Sequence, residues 1–293
     1  FKIINDFQPQ IIMNHQRNLL SNLYLAFFFY NKVKIYYEHG GNLLSQGSKV
    51  TRLFYKLFSW QYRMILTNSN LVKQKIQALK IPDEDKVNVL YLGIDVDKYR
   101  KKERNEGFYA KLGLDQKKKI IGAVGRMVEQ KGWDDFLSVA NEIQLLDQNY
   151  QFLIIGDGPL RSELEAKSKE MSLSVMFLGN REDVQDLLQI FDLFMMTSKS
   201  EPFGLTVLEA LAAEVPIVGY YVDGMGEIFD HGGGGVLLKE RNPQKLAQTV
   251  IDIFAEEGRL RTFSQEGKKN VECNFDIKTT IRNLEKYYLQ LVQ

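Results

Sequence analysis

TSKSEPFGLTVLEALAAEVPIV, residues 197–218, decides the fold. It follows a short apolar run, Leu193 to Met196, and leads into another, Ile217 to Tyr220. Pro202, Phe203 and Gly204 form the start of a helix between them, and strand–helix–strand with short joints is the unit of a parallel sheet. Glu201 precedes the helix and Glu209 lies on it, one turn and a little more inside. The first-turn amides around Gly204 and Leu205 point at an anion, so the helix N-terminus can hold a phosphate between two carboxylates. Carboxylates accept paired hydrogen bonds from vicinal hydroxyls. The pair therefore suits a ligand with hydroxyls on both sides of a phosphate, such as a nucleotide sugar. A glycosidase acid and nucleophile would need opposed carboxyls at a defined separation and leaves the helix terminus unexplained. The plain alternative makes Glu201 a partner of the helix dipole and Glu209 a solvated helix residue.

Outward from this unit the same alternation covers the chain. Strand candidates at Ile11 to Asn14, Lys34 to Glu38, Met64 to Thr67 and Val87 to Tyr91 make a first series of four. A second series of six runs from Ile120 to Val124 through Phe152 to Ile155, Val175 to Leu178, Leu193 to Met196, Ile217 to Tyr220 and Val236 to Leu238. The charged stretch YLGIDVDKYRKKERNEGFYAKLGLDQKKK separates them, which places a hinge near Tyr99 to Glu106. The expected domains are 1–100 and 101–274, followed by a long helix, 275–293, that returns to the first. FKIINDFQPQ has neither an initiator Met nor a signal-peptide pattern, and the chain is read as beginning inside its first domain.

Composition narrows the function. The 293 residues carry 38 Lys and Arg against 37 Asp and Glu, and a net charge of +1 supplies no general field for nucleic acid. One cysteine, Cys273, and three scattered histidines show no metal-ligand spacing, so a reducing, cytoplasmic setting and no metal are expected. Leu19 to Tyr30 is about a dozen residues, short of the roughly 20 a bilayer span needs, and reads as a buried helix.

Three further turns carry chemistry. In IIGAVGRMVEQKGWDDF, Gly125 turns the backbone and Arg126 and Lys131 follow at the carboxyl end of a parallel strand, where open α/β sheets bind phosphates. Two cations can neutralise a diphosphate without a metal; the alternative is a solvated loop. FLIIGDGPLRSEL is again strand, glycine turn and helix, but Arg161 stands where a dinucleotide fingerprint needs its third glycine. VMFLGNREDV places Gly179 at a strand end, where a planar base could approach the backbone.

Together VGRMVEQKG, IIGDGP, FLG, the E-x7-E element EPFGLTVLE, YLGIDVDKY and YYEHGG resemble the retaining glycosyltransferases of family 4, which have the two-domain GT-B fold. The resemblance implies two Rossmann-like doubly wound α/β domains, the N-terminal one incomplete because roughly its first three βα units do not precede Phe1. It implies that Arg126 and Lys131 contact the donor diphosphate and that Glu209 binds the ribose. Glu201, with the backbone at Phe203 and Gly204, would bind the transferred sugar, and His39 of YYEHGG would face it. Without the family, His39 reads as an ordinary strand-end histidine. The implied reaction moves a hexose from a UDP- or GDP-linked sugar to a glycan or lipid-linked glycan, as in cell-envelope polysaccharide synthesis, with no cofactor. A phosphorylase of the same fold, or an inactive scaffold that binds a partner enzyme, are the rivals.

Glu214 departs from the family, which usually has Gly there. Asp95 to Asp97 imitates a metal-binding D-x-D, but it sits in the crossover without further ligands and is set aside. A helix over Lys49 to Met64 is expected to gather Val50, Leu53, Phe54, Leu57, Trp60 and Met64 on one face and Lys49, Arg52, Lys56 and Arg63 on the other. Such a helix could sit on an anionic membrane, at the inner face; the preferred expectation is a core-packed helix with a basic face.

Overall fold

The computed structural model describes residues 9–15, 19–40, 49–81, 83–101 and 106–292. It divides the chain into two compact units, residues 1–93 with 277–293, and residues 94–276.

In the first unit β1 (Ile11–Asn14), β2 (Val33–Glu38), β3 (Met64–Thr67) and β4 (Val87–Val89) form a parallel sheet in that order. They are connected through α1 (Leu19–Phe28), α2 (Lys49–Phe58) and α3 (Asn70–Gln77). Asn14 stands beside Tyr36 and Tyr36 beside Ile65, so these residues share one sheet face. On it Tyr36 and Ile65 pack with Phe54, Tyr55 and Phe58, while Ile12 packs with Leu25 and Phe29. Ser69 starts α3 by accepting from the Val72 amide at 3.3 Å, the usual N-cap bond. Ile35, Tyr37, Met64 and Leu66 face the other way and are covered by Leu284, Tyr287 and Tyr288 of the C-terminal helix. Tyr287 donates to the Val89 carbonyl at 3.0 Å.

The expected 49–64 helix is shorter. α2 ends at Phe58, a tight turn occupies Ser59–Gln61, and Met64 begins β3. Tyr62 is extended and its hydroxyl is held in the core by Asn14 and Asn22, which stops the helix. Its apolar set is split as a result. Phe54 is buried, Leu53, Leu57 and Trp60 are exposed, and the Val50 side chain lies outside the described residues.

The second unit opens with α4 (Val96–Tyr99) and α5 (Glu106–Leu112). Six parallel strands follow: β5 (Lys119–Val124), β6 (Tyr150–Ile155), β7 (Val175–Phe177), β8 (Leu193–Met196), β9 (Ile217–Tyr220) and β10 (Gly235–Leu238). Their order is β10-β9-β8-β5-β6-β7, the doubly wound Rossmann arrangement. Between and after them lie α6 (Trp133–Leu146), α7 (Arg161–Glu170), α8 (Val184–Leu187), α9 (Leu205–Ala212), α10 (Asp223–Asp230), α11 (Pro243–Ala255) and α12 (Arg259–Asn274); α13 (Ile277–Val292) closes the chain on the first unit. The central strands are buried on both faces, which is why they read as continuous apolar runs.

The division falls at Gly93, ahead of the expected boundary at residue 100. Ile94 donates to the Phe275 carbonyl at 2.9 Å, and Val96 and Tyr99 are buried within the second unit, so the crossover segment belongs to that core. Of the expected hinge, residues 102–105 lie outside the described residues, as does Gly41 of YYEHGG.

Candidate functional site

The second sheet has its switch point between β5 and β8. The chain leaves β5 to build β6 and β7 on one side, then returns to lay β8 on the other. Outside the carboxyl ends of strands so placed, a crevice opens between loops that diverge. Here those loops are Gly125–Lys131, after β5, and Thr197–Glu201, after β8.

The two loops are sewn together. The Lys199 amide donates to the Gln130 carbonyl at 2.8 Å, and Gln130 Nε2 donates to the Ser200 carbonyl at 2.9 Å. Lys131 Nζ lies 2.5 Å from Glu201 Oε2, with both side chains largely buried. Arg241, 44 residues further on, fixes the second loop by donating to the Thr197 and Ser198 carbonyls at 2.8 and 2.9 Å. Its guanidinium also pairs with Asp135 and lies over the Tyr220 ring, 4.4 Å from the centroid. Arg241 was not foreseen, because nothing near it in sequence reveals carbonyls that distant.

A cavity of about 750 Å³ lies at the ends of β5, β6 and β7, lined by Gly125, Arg126, Gly156, Asp157, Asn180 and Arg181 among others. Its floor needs Gly156, at φ 131°, since a Cβ there would stand 2.1 Å from the Gly125 carbonyl oxygen. The Gly156 amide in turn donates to the Gly179 carbonyl at 2.8 Å. Trp133 Nε1 donates to the Arg126 carbonyl at 3.0 Å, which fixes that backbone while the Arg126 side chain stays exposed. Among the described residues Arg126 has no ion-pair partner. Asp157, also unforeseen, is held below the usual carboxylate range by the Gly158 amide and then by Arg161.

Next to the sewn loops, α9 starts at Gly204, φ 111°, with no side chain capping its first turn. Leu205 is half exposed there. Phe203 is a core residue, 2% exposed and edge-on to Phe275, so its side chain is not offered to a ligand. Gly224 of α10 lies against the carbonyls of Glu201 and Pro202, where a Cβ would meet the Glu201 oxygen at 2.2 Å. This approach was not singled out in the sequence; the glycines of DGMG are the local pattern that could have revealed it.

Glu209, one turn into α9, does not meet Glu201. Its Oε1 accepts from the Tyr99 hydroxyl at 2.9 Å, a contact across 110 residues. Burial pushes the Glu209 carboxyl up, and the Tyr99 bond and nearby Lys98 only partly oppose this. Burial and the Glu209 charge push the Tyr99 hydroxyl up in turn.

His39 belongs to the first unit. It follows β2, and its Nε2 lies 3.1 Å from Nδ1 of His15, which follows β1. His15 was not singled out in the sequence. Burial and the His39 charge lower its pKa. Thus the structure brings together Lys131 with Glu201, and sets Gly125 and Arg126 on one cavity to which Gly179 is joined only through the Gly156 amide, while Glu209 lies apart on Tyr99.

A doubly wound sheet presenting cations and an uncapped helix start at its switch point has the Rossmann-like architecture. The chain belongs to the glycosyl transferases group 1 family, whose model matches residues 105–270, and the Glycosyltransferase Family 4 model matches residues 1–98. It is 30% identical over 238 residues to the uncharacterized glycosyltransferase MJ1607 of Methanocaldococcus jannaschii, covering 79% of this chain and 61% of that protein. To the N-acetyl-alpha-D-glucosaminyl L-malate synthase of Bacillus anthracis it is 25% identical over 226 residues, covering 76% and 58%. The match thus spans about three fifths of each of these relatives. The Anabaena protein Alr3699/HepE, solved in complex with UDP and glucose, superposes with a TM-score of 0.87 at 20% identity over 99% of this chain and 80% of that one. The fold is GT-B, with two Rossmann-like domains in succession.

Proposed function

We propose that the chain is a retaining glycosyltransferase that moves a hexose from a nucleoside diphosphate sugar to a hydroxyl of a glycan or lipid-linked glycan. The observation that carries this reading is the Lys131–Glu201 pair at the switch point, 2.5 Å apart and three residues before the uncapped start of α9. Positive charge and a sugar-compatible carboxylate stand side by side there. The complex of Alr3699/HepE with UDP and glucose supports a UDP-linked donor.

In this reading Arg126, Lys131 and the amides at Gly204 and Leu205 take the diphosphate, and Gly125 and Gly179 let the nucleotide lie close to the backbone. Glu209 accepts from the ribose. Glu201, with the Phe203 and Gly204 backbone, takes the sugar. The bond from the anomeric carbon to the phosphate oxygen breaks, and the acceptor oxygen bonds to that carbon on the same face. The acceptor proton passes to the leaving diphosphate. No enzyme nucleophile is needed, and the cations stabilise the charge that grows on the leaving group. Chelation by EDTA is expected to leave turnover unchanged.

The test is calorimetric titration with UDP, GDP and their hexose conjugates, followed by NMR of the anomeric configuration of any product. Binding of a nucleoside diphosphate and an α-product from an α-donor are expected. Indifference to every nucleotide, with phosphate-dependent cleavage of a glycan, would replace the reading with a phosphorylase.

A further inference from the structure

The Glu209 carboxylate is held by one oxygen. Oε1 accepts from the Tyr99 hydroxyl at 2.9 Å, and among the described residues no donor meets Oε2. The hydroxyl is itself set in place. Tyr99 is buried, Gln189 Nε2 donates to its carbonyl at 3.2 Å, and Lys98 Nζ lies 5.6 Å from the ring centroid. α4, which carries Tyr99, packs on α9, which carries Glu209.

Two consequences separate this bond from ordinary packing. A carboxylate anchored at one oxygen offers the other from a fixed place, and a fixed acceptor tells a ribose from its deoxy form more sharply than one free to turn away from the missing hydroxyl. The bond also favours the ionised form. Burial pushes the Glu209 carboxyl up, while the Tyr99 hydroxyl and the Lys98 charge oppose that. Ionisation matters because only the carboxylate accepts at both oxygens. Asp95 faces the Tyr99 side of the pair, and on α12, which also packs on α9, Lys268 pairs with Glu214 instead.

We propose that Tyr99 is a positioning residue for nucleotide recognition: its hydroxyl anchors Oε1 of Glu209 so that Oε2 meets the vicinal hydroxyls of the ribose. The assignment rests on the reading of Glu209 as the ribose contact, and adds to it a residue of the crossover segment.

Calorimetry with UDP and GDP, and with the 2′-deoxy form of whichever binds, tests it. Tyr99→Phe removes the hydroxyl and keeps the ring. Affinity for the ribonucleotide is expected to fall by about three- to tenfold at neutral pH, the scale of one net hydrogen bond. Affinity for the 2′-deoxy form should fall by less, so the ratio between them narrows. As pH is lowered the parent loses affinity where Glu209 takes a proton, and Tyr99→Phe should lose it at higher pH, because the bond that opposed protonation has gone. Carboxyl NMR reads the same upward move without any nucleotide. In a Glu209→Gln background, Tyr99→Phe is expected to change affinity by less than about twofold, since the two residues act through one contact. A rise in affinity in Tyr99→Phe would make the hydroxyl a competitor of the ribose. An equal fall for both sugars, with the Glu209 titration unmoved, would make Tyr99 a packing residue, and either result overturns the proposal. A parent that binds UDP or GDP equally well in the 2′-deoxy form takes Glu209 off the ribose and overturns it too, while the roles of Lys131 and Glu201 stand. A folded parent that binds neither nucleotide overturns the transferase reading as well.

Discussion

Lys131 and Glu201 are proposed to touch different parts of one ligand, yet they hold each other at 2.5 Å. A diphosphate that takes the ammonium must share it with the carboxylate. Glu201→Gln removes the competing charge, so binding of a free nucleoside diphosphate is expected to hold or rise a few-fold, while sugar-dependent turnover falls by about 10²-fold, the scale for losing a group that acts on the reacting centre. Lys131→Ala leaves the carboxylate facing the diphosphate, and a loss of at least about tenfold in affinity is expected from that repulsion. Calorimetry beside turnover separates the two, and equal loss of nucleotide binding in both variants would reject the assigned roles. Glu209 carries a different signature. Its carboxyl is raised in the folded protein by burial, so the native state binds its proton more tightly than the unfolded chain does. Stability from this group is present below the ordinary carboxylate pKa and is lost as pH rises through the raised value. Glu209→Gln should therefore melt higher than the parent at neutral pH, with a gain that vanishes in acid, and should lose nucleotide affinity if the ribose contact is real. Scanning calorimetry across that range reads the first effect, and a gain that persists in acid would refute its electrostatic origin.

At the scale of elements, the turn between β6 and α7 depends on one missing side chain. Gly156→Ala would drive a Cβ to 2.1 Å from the Gly125 carbonyl oxygen at a positive φ, and must push β5 and β6 apart or distort the turn. A loss of about 2–4 kcal/mol is expected from backbone strain and overpacking together, measured by denaturant titration; a loss under about 0.5 kcal/mol, the ordinary surface scatter, would show that the turn relaxes freely. The glycine was legible as a turn, because IIGDGP follows an apolar run, but its partner was not. The same contrast holds elsewhere. LFMM and IVGY were readable as strands because burial on both faces leaves no polar alternation to interrupt them. The pairing of Ile121 with Leu193 was not readable, since strand order depends on where a chain returns. EPFG announced a helix start and its amides, whereas the Tyr99 bond to Glu209 and the Arg241 bonds to Thr197 and Ser198 join residues with no local pattern between them. The oddity at Glu214 has a backbone cause. It ends α9 at φ 60°, the left-handed region where glycine is free of strain, and Lys268 at 2.7 Å and Ser264 hold it there. Glu214→Gly exchanges about 1 kcal/mol of strain for an ion pair worth about 0.5 kcal/mol, so a small stabilisation is expected in the same titration, and a clear destabilisation would mean that the Lys268 pair outweighs the strain.

At the scale of the whole molecule, the two units are built on different terms. The second is continuous from Ile94 to Asp276 and keeps within itself the six-stranded sheet, its helices, and every proposed contact to a nucleoside diphosphate. Its two chain ends are joined to each other, by the Ile94 bond to Phe275 at 2.9 Å. The first is discontinuous: Ile35, Tyr37, Met64 and Leu66 are covered by α13, which arrives from the far end of the sequence. Removing α13 strips Leu284, Tyr287, Tyr288 and Leu291 from that apolar face and takes away the Tyr287 bond to Val89. Ending the chain after Asp276 should therefore unfold or aggregate the first unit while the second survives, because exposed apolar sheet surface favours association. The segment Ile94–Asp276 expressed alone should melt cooperatively and bind a nucleoside diphosphate within about threefold of the whole chain, as expected when coupling between separate cores is small. Calorimetry resolves the two cases: the truncated chain should keep the nucleotide-sensitive transition and lose the other. If the isolated segment fails to melt cooperatively, its core is completed by the first unit; if it melts cooperatively but ignores nucleotide, the diphosphate site has been placed on the wrong residues.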